Sequence, residues 1–306
     1  MDLLVIAGPT ASGKTSLGVA AAKALNGEVI SGDSLQVYRH MNIGTAKATV
    51  SEMEGIPHHL IDILEPSEPF SAAAFKQRAV DAMADIQARG KLPILVGGSG
   101  FYIHALLGDT DFDEASTNLA RRNALALLTP AELYTILSAH DPDYAMLNQY
   151  NKARLVRGLE FFEQTGQRLS VRIAEQKQKQ STLRAKVFVL DWPRDLLYQR
   201  INQRVDNMLA QGLVSEVEQL LTMGYSPELP SLGSIGYKEI IAYLQGYATL
   251  ETATEAIKQN TRRFAKRQLT WFRNKTTAHW LTACPPGTQG ESSGTGSIIH
   301  ELLHHL

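Results

Sequence analysis

Eight residues near the start of the chain, Gly8-Pro9-Thr10-Ala11-Ser12-Gly13-Lys14-Thr15, have the types and spacing of a phosphate cradle. They fill the pattern G-x-x-x-x-G-K-[ST]. The glycines permit positive φ and let backbone amides come close to phosphate oxygens. Lys14 supplies a point charge, Thr15 a hydroxyl suited to Mg²⁺, and a helix starting here favours anions at its N-terminus. Such a loop takes a polyphosphate without naming the reaction, and the bland alternative is a glycine turn with no ligand. Two further loops carry reactive groups. Gly32-Asp33-Ser34-Leu35-Gln36 offers a carboxylate that can act as a general base, partner a Mg²⁺, or simply cap its own turn. Gly97-Gly98-Ser99-Gly100-Phe101-Tyr102 offers the Ser99 hydroxyl behind two glycines, as a substrate contact or as an ordinary loop serine.

Cations supply the second signal. Between Ala256 and Thr276 stand Lys258, Arg262, Arg263, Lys266, Arg267, Arg273 and Lys275, with no Asp or Glu among them. Ile257, Phe264 and Trp271 recur every seven residues, so one helix face can pack while basic side chains hold the others. Like charges this close destabilise an isolated helix. A polyanion partner explains them, and a solvated basic face is the alternative. Trp271 and Phe272 can stack on bases or serve the core. Arg200 and Arg204, four apart on a predicted helix, can grip one phosphate together or pair with surface acids.

The elements that must position these groups follow from periodicity. Leu3–Ala7, 28–31, 92–96 and 186–190 read as short buried strands, and 14–25 as a helix. Ser71 N-caps a helix whose apolar face is Phe75, Ala79, Met83 and Ile86. Asp195 is read as the cap of a helix over 196–210, and a long helix spans roughly 251–274. Alternating strands and helices imply an α/β fold, a P-loop parallel sheet core with helices on both faces. In such sheets ligands sit beyond the carboxyl ends of the strands, which puts the P-loop, the Asp33 loop and the Ser99 loop on one rim. From about Asp113 to Arg184 the strand signal disappears. Thr129-Pro130-Ala131-Glu132 is a capping box with proline at the first helical position, and Leu155, Leu159 and Phe162 form an apolar stripe. The expected organisation is a first part of the core over 1–112, an all-helical insertion domain over 113–185, a second part of the core over 186–283 carrying the basic helix, and a flexible tail over 284–306. Within that tail, residues 298–306 can form a short amphipathic turn or two.

Composition narrows the class. The chain has 306 residues, 44% hydrophobic and 20% charged, with a formal net charge of −1, which is ordinary globular usage. The insertion is locally basic, with ten Lys or Arg against six Asp or Glu over 116–184. The single cysteine, Cys284, excludes an intramolecular disulfide and a cysteine-rich zinc site. Met1 to Ala7 is too short, and lacks the basic start, for a signal peptide. No apolar run approaches the roughly 20 residues of a membrane span, so a cytoplasmic protein with no membrane contact is expected. An NTP-hydrolysing P-loop protein places an aspartate at a strand end to hold Mg²⁺. Here Val96 runs into Gly97-Gly98, and Asp191, followed by Trp192-Pro193, reads as a turn residue.

Together the motifs resemble a family. GPTASGKT from Gly8, SGDSLQVYRHMNIGTAK from Ser31 to Lys47, HHLID from His58, GGSGFYI from Gly97, SIGYKE from Ser234 and KRQLTWFR from Lys266 to Arg273 resemble the tRNA dimethylallyltransferase family, in its order, from Met1 to about Lys275. The resemblance implies transfer of the dimethylallyl group of dimethylallyl diphosphate to the exocyclic N6 amine of the adenine beside the tRNA anticodon, releasing diphosphate. It implies Asp33 as general base, with Ser99 and Arg204 completing the catalytic set and Arg200 a weaker match to the diphosphate arginine. Gly8, Pro9, Thr10, Ala11, Ser12, Gly13, Lys14 and Thr15 would hold the diphosphate, with Thr15 on Mg²⁺, the one cofactor implied. Contacts to tRNA would come from Asp33, Ser34, Leu35 and Gln36, and from Gln167, Arg168, Leu169, Ser170 and Val171 of the insertion, an anticodon-loop clamp. Further contacts would come from Gly233, Ser234, Ile235, Gly236, Tyr237 and Lys238, and from Lys266, Arg267, Gln268, Leu269, Thr270, Trp271, Phe272 and Arg273. A monomer is expected. The chain departs from the family's pattern at Leu147-Asn148-Gln149-Tyr150-Asn151, where the family has His-Pro-Asn-Asp character. It also has Gly32 for alanine, Phe101 for leucine, and Ser99 for threonine, which keeps the hydroxyl.

Three rivals remain. A P-loop small-molecule kinase would transfer a γ-phosphate from ATP and need no basic helix. A prenyltransferase acting on free AMP, ADP or ATP would share the core chemistry without KRQLTWFR. A nucleotide-dependent RNA-binding module would bind without turnover.

Overall fold

A central, wholly buried strand organises the sheet. The computed structural model describes residues 1–108, 119–178, 183–283 and 295–306. In chain order its first elements are β1 (Leu3–Ala7), α1 (Lys14–Leu25), β2 (Gly27–Ser31), α2 (Val50–Met53), β3 (His58–His59), α3 (Ala72–Ala88), β4 (Leu92–Gly97) and α4 (Gly100–Leu107). Then come α5 (Leu119–Leu127), α6 (Pro130–Ser138), α7 (Pro142–Asn148), α8 (Lys152–Thr165) and α9 (Leu169–Gln178). The remainder is β5 (Ala185–Asp191), α10 (Arg194–Ala210), α11 (Leu213–Thr222), α12 (Tyr237–Leu244), α13 (Leu250–Lys275), β6 (His279–Thr282) and α14 (Thr295–His304). The strands form one six-stranded sheet in the order β3-β2-β4-β1-β5-β6, with every pairing parallel.

Register decides what the sheet can do. Ala7 pairs with Gly97, Ser31 with Val96 and Ala7 with Val189, so β1, β2 and β4 end within one residue of one another and β5 runs two residues further, to Asp191. The loops after those strands therefore share one edge, the position where parallel sheets bind ligands. Close approach there requires glycine. A Cβ on Gly97 would lie 2.4 Å from the Gly32 carbonyl oxygen, and one on Gly98 2.3 Å from the Gln268 side chain.

Most helices begin where the side-chain chemistry says they should. Ser71 Oγ accepts from Ala74 N at 3.1 Å and starts α3, which buries Phe75, Ala79, Met83 and Ile86. Thr129 and Glu132 close the capping box of α6, with Pro130 in its first turn. α10 differs. Pro193 occupies its N-cap, and Asp195 lies inside the first turn without capping it. The proline fixes φ and needs no N–H at a helix start, so the helix opens earlier than the Asp195 reading places it.

The chain divides into two compact units, residues 1–107 with 183–306, and residues 108–182. The second is helical throughout its described residues. Its core is Leu125, Leu133, Leu137, Tyr144, Leu155, Leu159 and Leu169. The boundary expected at 112/113 and residues 284–294, including Cys284, lie outside the described residues. Beyond them the tail is structured. α14 buries Leu302 fully, with Ile298 and Ile299 against the cluster containing Leu4, Leu17 and Phe188. Burial of one leucine contributes about 1.5–3 kcal/mol, and this replaces the flexible tail expected through Leu306. No helix among the described residues is long and apolar enough to cross a membrane.

Candidate active site

The phosphate loop leaves β1 in a conformation that its sequence makes possible. Gly8 and Gly13 have φ of 150° and 91°, and Ala11 takes φ 62°. For a residue with a Cβ that left-handed geometry costs about 1–3 kcal/mol and persists only where surroundings impose it. Three side chains impose it. Gln268 Oε1 accepts from Thr10 N, Arg200 Nε donates to Ala11 O, and Trp192 Nε1 donates to Ser12 O, each at 2.9 Å. Lys14 folds back to donate to Pro9 O at 2.6 Å. α1 starts at Lys14, and its first amides have no intrahelical acceptor. The Ser12 hydroxyl is buried without a hydrogen-bond partner among the described residues. Orphan donors at a helix N-terminus, gathered around a lysine, fit a phosphate group.

The loop opens onto a cavity of about 590 Å³. Its walls are residues 10–15, Val29 and Ser31 of β2, Asp33 and Gln36, the 42–49 segment, Val96 to Gly98, and one face of α10 with Arg200, Gln203, Arg204 and Asn207. Phe264 and Gln268 of α13 also line it, with Glu52, His58, Met208 and Gln211. Asp33 is thus brought to the cradle, as expected for a shared edge. One carboxylate oxygen, Oδ1, accepts from Leu35 N at 2.9 Å, so Asp33 caps its turn while facing the cavity.

Electrostatics around the cradle are strongly biased. Burial, and then the positive charge of Arg204, pull the Lys14 ammonium down to about 7, against the opposing pull of Asp33. Burial also lowers the Arg204 guanidinium, with Asp33 and Glu52 acting the other way. No ion pair or hydrogen bond holds Arg204 among the described residues. An anion here would restore the favoured charge state of Lys14 and give Arg204 a partner. Arg200 is different, with its Nε on Ala11 O and its guanidinium 4.3 Å from the centroid of the Trp192 ring.

Several supports were not legible as site residues. Glu216, a carboxylate on the apolar stripe Leu213, Val217 and Leu220 of α11, is buried. It accepts from the amides of Asn42, Ile43 and Gly44 at 2.9, 2.7 and 3.0 Å and from the Tyr237 hydroxyl at 2.7 Å. The cavity wall over 42–44 therefore hangs on one carboxylate. Lys47, also buried, donates to Tyr38 O and Asn42 Oδ1 at 2.7 Å each. A charged residue placed inside an apolar stripe is the signal that marks Glu216.

The remaining expected residues separate by exposure. Ser99 is half-buried where α4 begins, and its backbone carbonyl accepts from Tyr102 N and Ile103 N. It is not among the residues lining the cavity. Ser34, Leu35 and Gln36 are half-buried, and Gln36 Oε1 accepts from Ser31 Oγ at 3.0 Å. Gly233, Lys238, Lys266, Arg267, Thr270 and Arg273 are exposed, while Ser234, Ile235, Leu269 and Trp271 are half-buried. Gly236, Tyr237, Gln268 and Phe272 are buried, so these four side chains or backbones serve the interior. Gln268 joins the Thr10 amide to Gly98 O at 2.9 Å. Arg273 donates to Asp191 at 3.0 Å, Arg262 to Asn202 at 2.6 Å, and Lys258 pairs with Asp206 at 2.7 Å. In the helical unit Gln167, Arg168 and Val171 are exposed, Leu169 is core, and Ser170 binds buried Asp141 through N at 2.9 Å and Oγ at 2.6 Å. The 147–151 departure has local uses. Asn148 bonds Tyr144 O and Arg154, and Asn151 caps α8.

Comparisons with known proteins point one way. A family model described as IPP transferase matches residues 36–275. The chain is 46% identical to a tRNA dimethylallyltransferase of Lachnoclostridium phytofermentans, over 99% of this chain and 97% of the relative. It is 44% identical to one of Bacillus subtilis, over 93% and 91%. Among solved structures it resembles the tRNA delta(2)-isopentenylpyrophosphate transferase of Staphylococcus epidermidis, with TM-score 0.72, 41% identity and coverage of 99% and 98%. It also resembles a eukaryotic dimethylallyltransferase acting on tRNA, with TM-score 0.85, 31% identity and coverage of 99% and 79%.

Proposed function

We propose a mechanism for this chain from the family to which it belongs, the IPP transferases, whose members here are tRNA dimethylallyltransferases, and which makes it a prenyltransferase of tRNA. The donor in this reading is dimethylallyl diphosphate, and the acceptor is the N6 amine of the adenine beside the anticodon. A new bond forms between N6 and the allylic carbon as the bond from that carbon to the diphosphate oxygen breaks. The N6 proton passes to Asp33, and diphosphate leaves.

One observation carries this reading: the Asp33 carboxylate, the P-loop, Lys14 and Arg204 face the same cavity. A neutral adenine amine is a weak nucleophile whose proton becomes acidic only as the N–C bond forms, so a carboxylate in reach at that moment suffices. Charge growing on the departing diphosphate is met by the loop amides, Lys14 and Arg204. The Thr10 amide, already given to Gln268, leaves this work to the amides that follow it. Thr15 lines the cavity and its hydroxyl is a suitable Mg²⁺ ligand. Among the described residues no group of three or more His, Cys, Asp or Glu is placed to hold a metal, and a Mg²⁺ bound mainly through phosphate oxygens needs none. When bound, the ion neutralises charge on the diphosphate.

The anticodon loop meets the exposed Lys266, Arg267 and Lys238, and within the helical unit the exposed Gln167, Arg168 and Val171 offer further tRNA contacts. The adenine leaves its stack to reach the carboxylate. The chain works in the cytoplasm as a monomer, where unmodified tRNA is available.

Labelled dimethylallyl diphosphate, Mg²⁺ and unmodified tRNA test the reading directly. Wild type should place the label in tRNA. Asp33→Ala should lose transfer by about 10²-fold or more while binding tRNA with near wild-type affinity. Unchanged turnover would remove Asp33 from the mechanism, and label in a free adenine nucleotide alone would replace the acceptor.

A further inference from the structure

We propose that Trp192 and Arg200 are positioning residues that hold the phosphate loop in its anion-binding shape, and that Arg200 acts on the loop rather than on the anion. The proposal rests on the diphosphate reading above.

Three consecutive loop residues are pinned from outside: Thr10 by Gln268, Ala11 by Arg200 and Ser12 by Trp192. Ala11, the residue in left-handed geometry, is also buried. It packs with Leu197 and Ile201 of α10 and Ala265 of α13, with Trp192 against the same cluster. The loop is therefore docked onto the two helices that flank it. Trp192 is itself fixed, because its backbone N–H donates to Asp191 Oδ1 at 3.0 Å and Pro193 locks the chain that follows.

Arg200 has its Nε and one face of its guanidinium engaged by protein. Its Nε is on Ala11 O, and its planar face lies over the Trp192 ring, an arrangement that a lysine cannot copy. Arg204, one turn further along α10, lines the same cavity as Arg200 but has no such partners among the described residues. Two arginines four apart thus divide the work, one shaping the loop and the other meeting its ligand.

Isothermal titration of inorganic diphosphate with Mg²⁺, together with steady-state kinetics and tRNA binding, tests this on Trp192→Phe, Trp192→Leu and Arg200→Lys. Trp192→Phe keeps a ring for Arg200 and loses the bond to Ser12. Trp192→Leu loses both, and Arg200→Lys keeps the charge but not the planar face. Diphosphate affinity should fall about threefold in Trp192→Phe and about tenfold in Trp192→Leu and Arg200→Lys, the scale of one or two net hydrogen bonds. KM for the donor should rise in parallel, and tRNA affinity should stay within about twofold of wild type. Because the two residues act as one unit, Arg200→Lys with Trp192→Leu should be no worse than about twice either single change. Arg200→Lys retaining full diphosphate affinity would make Arg200 a charge ligand and overturn the proposal. So would an additive double variant, or tRNA binding that falls in step with diphosphate binding. Wild type that fails to bind diphosphate overturns the underlying reading as well, whereas wild-type binding with unaffected variants overturns this proposal alone.

Discussion

Proton uptake on diphosphate binding follows from the environment of Lys14. In the free protein, burial and Arg204 bring its ammonium down to about 7 from an ordinary 10.5. A bound diphosphate places several negative charges beside it and returns it to its ordinary range or above. Between those values the complex holds one more proton than the free protein, so binding weakens as pH rises through 7. At pH 6 no change is expected, since Lys14 is charged in both states. At pH 8.5 the loss is about 30-fold, from roughly tenfold per pH unit beyond 7, with about one proton taken up. Titration calorimetry at pH 8.5 in buffers of different ionisation enthalpy measures that proton directly, with Mg²⁺ present to keep the diphosphate itself deprotonated. Lys14→Arg is the control, because a guanidinium stays charged throughout, and the Lys14 contribution should vanish from its profile. Uptake near zero at pH 8.5, or the same pH slope in Lys14→Arg, would refute the reasoning. Stability moves the opposite way with pH. Unfolding releases Lys14 to its ordinary range, so its burial is unfavourable below pH 7 and the penalty lifts between 7 and 10.5.

Gln268→Ala removes the bond to Thr10 N and the bond to Gly98 O, leaving one half-buried and one buried backbone group unpaired. Urea denaturation should register a loss of about 2–4 kcal/mol, and diphosphate affinity should fall while tRNA affinity changes little. Lys266 and Arg267 are exposed and neither has an ion-pair partner among the described residues. Alanine at either position should reduce the slope of log K for tRNA against log salt by about 0.7–0.9, measured by filter binding over a salt series.

What the chain order reveals and what it hides have a common physical cause. The phosphate loop and Asp33 were legible because their chemistry is local: glycines, lysine and hydroxyl within eight residues, and a carboxylate at the end of the next strand. The sheet was legible where strands are apolar throughout, as in β1. It was missed where they are two residues long, as in β3, or polar at their ends, as in β6 with His279 and Thr282. Glu216, Trp192 and Gln268 were not legible as supports because each acts on a segment roughly 170 to 260 residues away, a distance no periodicity measures. The string from Lys266 to Arg273 makes the point most sharply. Its family resemblance suggests one tRNA-binding motif, yet a helical period of 3.6 cannot present eight consecutive side chains to one partner. Ala265, Gln268 and Phe272 turn inward, and Lys266, Arg267 and Thr270 turn outward. Gln268 bonds the phosphate loop and Ala265 packs against Ala11, while the outward residues face solvent. In the proposed reading one helix carries both a brace of the phosphate loop and the basic face for the acceptor, so a shift of either along its axis would be felt by the other.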